Sequence, residues 1–166
     1  MSSPALNFID TLPWEEVSHA YGSASDGPVE LRRLLSSDEG ERQDAINGFL
    51  YSSVYHQYSV FTATPFVVAS VIKILEEGVV NDLPAGTGET MASELLHFVR
   101  LCAEEGHARI EGRPHPLTPT IEEMAMGAAS LYQAFSNDAN PKVRARATEL
   151  IAWIAQKRNS RTMRHS

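Results

Sequence analysis

Two stretches of the chain place a carboxylate and an imidazole one helical turn apart, Glu94-x-x-His97 and Glu104-x-x-His107. That spacing serves carboxylate-bridged metal centres when copies on different helices meet around a shared ion. Here both copies fall on one predicted helix, about ten residues and roughly 15 Å apart along its axis, so they cannot share an ion. A solvated helical face accounts for them, and no metal site is expected. His107, Arg109, Arg113 and His115 gather hydrogen-bond donors in one segment, suited to an anion or to a partner's carboxylate. Gly86-Thr87-Gly88-Glu89 precedes a predicted helix, but no strand leads into it and no lysine follows, so it makes a poor phosphate cradle. The single cysteine, Cys102, lies in an apolar helical pattern with Leu95, Phe98 and Val99, which excludes an internal disulfide and reads as a buried thiol. With no nucleophile-and-base pair recognisable, the chain is expected to be neither an enzyme nor a cofactor carrier.

The charge pattern points to a partner instead. Residues 1–141 hold twenty acidic and seven basic side chains, net −13, whereas residues 142–166 hold seven basic and one acidic, net +6. An anionic body repels phosphate backbones and attracts basic proteins. Glu15, Glu16, Asp38, Glu39, Glu41 and Asp44 are the candidate residues for meeting a cationic partner. Tyr51, Tyr55, Tyr58 and Phe61 form an aromatic cluster around His56 and Gln57, suited either to inter-helix packing or to a partner anchor. Tyr55, Tyr58, Arg109, Arg113 and His115 complete the expected binding set.

The elements that must position these residues read as helices. With 166 residues, 43% of them apolar and 21% charged, the chain suits one globular domain over residues 1–157. A first helix is expected from Asp10 or Thr11 through Trp14, Val17 and Tyr21 to a stop at Gly22. A second begins near Pro28, and a third after Ser37 carries Ala45, Ile46, Phe49 and Leu50. Thr64-Pro65 opens a fourth that is apolar on most sides as far as Leu75 and ends at Gly78, the pattern of a central helix. A fifth spans about 89–105, Thr118-Pro119 opens the sixth and Asn140-Pro141 the seventh. The segments 79–88 and 106–116 read as loops. Tyr58-Ser-Val60-Phe61 is the nearest approach to a strand and is too short to stand alone. The tail, residues 158–166, is basic and lacks apolar anchors, so it is expected to be disordered. No cationic segment followed by an apolar run opens the chain and no stretch is apolar enough to span a bilayer, which leads to the expectation of a cytoplasmic protein.

Comparing the chain with itself gives a repeat. Asp38-Glu-Gly-Glu-Arg42-Gln-Asp-Ala45 and Asp138 through Arg144 to Ala147 each set an Asp at a helix start and an Arg three residues before a small Ala. At that spacing Ala permits close helix packing while Arg is free to return to the acidic turn of a neighbouring repeat. Three units are expected, near Pro28 to Tyr55, Thr64 to Glu105 and Thr118 to Lys157. The fold class is all-α, a short α-solenoid of HEAT-like antiparallel helix pairs.

Roughly residues 8 to 78 resemble a group of bacterial HEAT-like proteins. The resemblance rests on Trp14-Glu-Glu-Val-Ser-His19-Ala20-Tyr21-Gly22, on His56-Gln57 and on Ala63-Thr64-Pro65. It implies a HEAT-like fold and, by analogy with members in toxin and immunity gene neighbourhoods, an immunity protein that neutralises a basic toxin domain. The alternative is a general adaptor or regulator of a cellular protein. A third reading, a HEAT-like DNA glycosylase or nucleic-acid binder, needs a basic groove, and the anionic body argues against it.

Overall fold

The computed structural model describes residues 2–105, 110–111, 115–116 and 120–165. Its helices among those residues are α1 (Pro4–Asp10), α2 (Gly27–Leu34), α3 (Glu39–Asp44), α4 (Thr64–Glu77), α5 (Met91–Glu105), α6 (Ile121–Gly127), α7 (Ala129–Phe135) and α8 (Pro141–Met163). The protein is therefore mostly helical. Local chemistry starts most of these helices. Asp38 caps α3 by accepting the Glu41 N–H, Thr120 and Glu123 form a capping box on α6, and Asn140 caps α8 ahead of Pro141. Gly78, at φ +78°, ends α4 in the left-handed conformation that glycine adopts without steric cost.

Tertiary packing centres on α4, whose Phe66, Val67, Val68, Val71, Ile74 and Leu75 are all buried. It packs against α1, α2, α5 and α6, while α8 lies against α5 and α7. Each such side chain contributes about 1.5–3 kcal/mol when fully removed from water. The buried residues form one cluster, from Ala5 and Ile9 in α1 to Trp153 and Ile154 in α8, with Cys102 sealed inside. Trp14 and Trp153 belong to it from the amino- and carboxy-terminal parts of the chain. The Trp14 indole N–H donates to the Ile9 carbonyl at 2.8 Å, and its ring lies so close to Gly27 that a Cβ there would sit 2.6 Å away.

Four expectations need correction. The first helix lies upstream, at Pro4–Asp10, where Ser3 caps the Leu6 N–H and the Ser3 hydroxyl and Ala5 N–H both donate to the Glu77 carboxylate of α4. Trp14–Glu16 is instead a single 3-10 turn, because burying the indole turns the chain inward. The stretch that follows, expected to be helical, is a hairpin of β1 (Ser18–His19) and β2 (Gly22–Ser23). Second, the segment around Tyr58 does pair: β3 (Tyr55–His56) and β4 (Ser59–Phe61) form a hairpin, and β5 (Ile110–Glu111) joins β4 in parallel. Backbone bonds from Ala20 N–H to the Ser53 carbonyl and from Ala63 N–H to the Ser18 carbonyl, both 2.9 Å, stitch the two hairpins together. These strands form through partners distant in sequence, which local periodicity does not report. Third, the third helix widens after α3 into a π-helical segment, Ala45–Val54, and the sixth is broken at Ala128 into α6 and α7. Thr118-Pro119 lies outside the described residues.

The tail is the fourth. Instead of ending at Lys157, α8 runs on to Met163. Lys157 and Arg161 both reach the Glu122 carboxylate of α6, at 3.8 and 2.8 Å, and the cationic residues of this end complement the negative end of the helix dipole.

Candidate protein-binding surface

His19 organises the most distinctive surface of the molecule. Strand β1 buries its ring, where Nδ1 accepts the Tyr21 backbone N–H at 3.2 Å and Nε2 lies 2.9 Å from the Asp26 carboxylate. Because Nδ1 is an acceptor, the proton sits on Nε2 and the imidazole donates to Asp26. The ring also meets Phe49 and Tyr21 edge to face, at 6.1 and 6.4 Å between centroids. Tyr21 in turn meets His56 at 5.7 Å, and its hydroxyl lies 3.3 Å from that of Ser52. A row of rings thus runs from the buried Phe49 outward to Tyr21, which is 67% exposed at the tip of the first hairpin.

The second hairpin presents Tyr58 beside this row, 76% exposed. Its turn is Gln57-Tyr58, with φ of +48° and +66°. Two-residue hairpin turns of this hand favour Asn-Gly, because a side chain with φ above zero crowds its own backbone. Here the turn carries a bulky aromatic instead.

On the other side of His19 lies a groove of about 580 Å³ between α2 and the start of the π-helical segment. Asp26, Glu30 and Asp44 line it, with Arg33, Asn47, Gly48, Phe49 and Ser53. The Arg33 guanidinium bonds Glu30 at 3.2 Å and Asp44 at 3.3 Å, so three carboxylates face one cation. Asp44 stays 71% exposed at its side chain and keeps acceptor capacity for a second donor. The widened turns of the π-helical segment supply the floor, a placement common for such irregularities at functional sites.

No family model, no curated protein and no solved structure matches this chain. What the surface does therefore follows from its own chemistry.

The predicted binding residues are only partly brought together. Asp44 and Tyr58 lie on the surface just described. Tyr55 is half-buried on β3, where burial and then the nearby Glu105 raise its phenol pKa. Asp38 serves as the α3 cap and Glu41 accepts the Ser36 hydroxyl, so both have local work. Glu39 faces a different hollow, shared with Asp82, Glu89 and Lys142 at the start of α8. Glu15 and Glu16 border a third, with Ser25 and Pro28. Glu16 also meets another predicted residue: His115 Nε2 lies 2.9 Å from its carboxylate, and the His115 ring packs edge to face on Phe66. Arg109 and Arg113 lie outside the described residues. Tyr21, Asp26 and Glu30 were not among the predicted site residues. Tyr21 comes to the surface at the tip of a hairpin in a stretch read as helix, while Asp26, just before α2, and Glu30, within it, line one groove with Asp44, which Arg33 joins to Glu30.

Other motifs take structural roles. Glu94 accepts the Thr87 hydroxyl at 2.6 Å and the Tyr51 hydroxyl at 3.3 Å; burial first, then this carboxylate, pushes the Tyr51 phenol well above its usual pKa. His97 packs against Tyr51, and its buried Nδ1 meets no partner among the described residues. Among those residues no three His, Cys, Asp or Glu side chains converge as metal ligands. No helix of the described residues is long and apolar enough to cross a membrane. Arg144, expected to reach a neighbouring repeat, instead donates to the carbonyls of Asp138 and Ala139 at its own helix start. Arg42 does leave its helix, but for carbonyls rather than an acidic turn: Nε and Nη2 donate to Pro84 and Nη1 to Ser36.

Proposed function

We propose that this protein is a non-enzymatic binding module whose hairpin tips and acidic groove take a cationic segment of a partner protein. The carrying observation is Tyr58, an exposed aromatic held at φ +66° in a turn where glycine costs less. A non-glycine residue in that conformation costs about 1–2 kcal/mol. Strain retained at an exposed aromatic supports a contact role, since tyrosine is enriched among the few residues that dominate interface energies. The groove's excess of carboxylates supports a basic partner, by steering encounter and by pairing once docked. The mostly helical fold is compatible with the HEAT-like reading, and the resemblance over residues 8 to 78 makes immunity against a basic toxin domain the concrete form of this proposal. A cytoplasmic location goes with that form.

The test is to coexpress the chain with the product of the adjacent gene and to measure growth and complex formation for the natural chain and for Tyr58→Gly. The proposal expects rescue by the natural chain. It also expects Tyr58→Gly to unfold at higher denaturant, by about 1 kcal/mol, while losing roughly tenfold or more in affinity. A variant that is more stable and binds unchanged removes Tyr58 from the interface, and absence of both rescue and complex removes the immunity form.

A further inference from the structure

The last turns of α8 form a second charged surface, of opposite sign. Every residue from Arg158 to His165 is exposed. Arg161 is tied to Glu122, but the side chains of Arg158 and Arg164 have no partner among the described residues. This end lies a full helix length from the start of α8. The start of α8, Asn140 to Lys142, shares a hollow with Glu39 at the start of α3, and 23 helical residues then carry the chain about 34 Å along the axis. None of the contacts of Arg158, Arg161 or Arg164 among the described residues is with Asp26, Glu30 or Asp44.

We infer that the cationic end of α8 docks in the Asp26–Glu30–Asp44 groove of a second copy of this chain. The argument rests on charge complementarity between two surfaces present in every molecule. The groove already seats one guanidinium, that of Arg33, and three lining carboxylates leave it two negative charges in excess. The helix end offers unpaired guanidinium groups of the same chemistry. Reciprocal docking closes a two-fold dimer and places each tail in the groove of the other copy. The inference shares with the proposed function the reading of the groove as a seat for cations. It adds that the tail of another copy occupies that seat and competes with any basic partner.

A charge swap tests it on the full-length chain. One variant reverses the tail, Arg158→Glu with Arg164→Glu, and the other reverses the groove, Glu30→Lys with Asp44→Lys. Sedimentation equilibrium at low ionic strength should show the natural chain associating, and added salt should dissociate it. Each variant alone should associate at least about tenfold more weakly, and an equimolar mixture of the two should associate again. A natural chain that stays monomeric at low salt overturns the inference, as does a mixture that stays monomeric. Titrating an oligolysine peptide into the tail-reversed variant separates the two readings. Oligolysine binding without self-association leaves the groove as a cation seat and removes the second copy. No oligolysine binding, or equal binding to the groove-reversed variant, removes the groove itself. Binding of a duplex oligonucleotide by the natural chain and not by the tail-reversed one, without self-association, assigns the helix end to phosphates and overturns the inference.

Discussion

Arg42 keeps its charge inside the protein, 2% exposed, by replacing water with the carbonyl oxygens of Pro84 and Ser36. Removing the side chain strands those acceptors and empties the space of its stem. Arg42→Ala is therefore expected to cost roughly 3 kcal/mol, because buried unpaired polar groups carry about 1–3 kcal/mol each. Arg144→Ala, at the exposed start of α8, is expected to cost less than about 1 kcal/mol. Urea denaturation midpoints of the two variants check the contrast, and equal shifts would refute it. His97 gives a pH dependence. Burial first, then Arg146 and Arg100, lower its pKa below the usual 6.5, against the opposing pull of Glu94 and Glu89. The unfolded chain thus binds a proton at higher pH than the folded one. Stability contributed by the neutral imidazole is complete above the unfolded pKa and is lost as pH falls through it toward the lower folded value. Between about pH 7 and 5, the natural chain should lose more stability than His97→Gln. Parallel pH profiles would show that the ring is not held neutral by the fold.

Elements whose start and stop lie within their own residues were legible in advance. Asp38 and Asn140 announce helix starts because capping is a contact across two or three residues, and Pro65 and Gly78 mark the ends of α4 because proline suits a first turn and glycine the left-handed stop. The hairpins were not legible. Gln57-Tyr58 carries neither Asn nor Gly, and the bonds that hold β1 join Ser18 and Ala20 to Ala63 and Ser53, which no local window contains. The same gap hid part of the site: the acidity of Asp44 was visible, but its meeting with Asp26 and Glu30 depends on how α2 packs on the π-helical segment, a contact between residues distant in sequence. The tail of α8 was misread because no apolar residue anchors it, whereas Glu122 and the helix dipole stabilise it. That stabilisation is local. Ending the chain after Lys157 should lower the thermal midpoint by no more than about 3 °C, the shift expected for roughly 1 kcal/mol in a chain of this size. A larger drop in a calorimetric scan would mean that the core depends on the tail.

For the whole molecule, the acidic groove and the basic helix end are separate surfaces on a scaffold whose buried residues form one cluster, with α4 packed against four other helices. Two arrangements predict different unfolding. A stack of weakly coupled helix pairs can lose one end before the other, whereas a core shared through α4 melts as one unit. The chain carries its own means of telling them apart. Trp14 lies in the amino-terminal part of the chain, beside Phe66, and Trp153 in α8, beneath the Lys157 ammonium. Both indoles are buried, so each changes its emission when its own neighbourhood opens to water. Trp14→Phe leaves a fluorophore that watches the α8 end, and Trp153→Phe leaves one that watches α1 and the hairpins. Superimposable denaturation curves from the two variants, after correction for each substitution's own destabilisation, are the expected result. Curves separated in midpoint would mean that light from one end of the protein reports a folded state which the other end has already left.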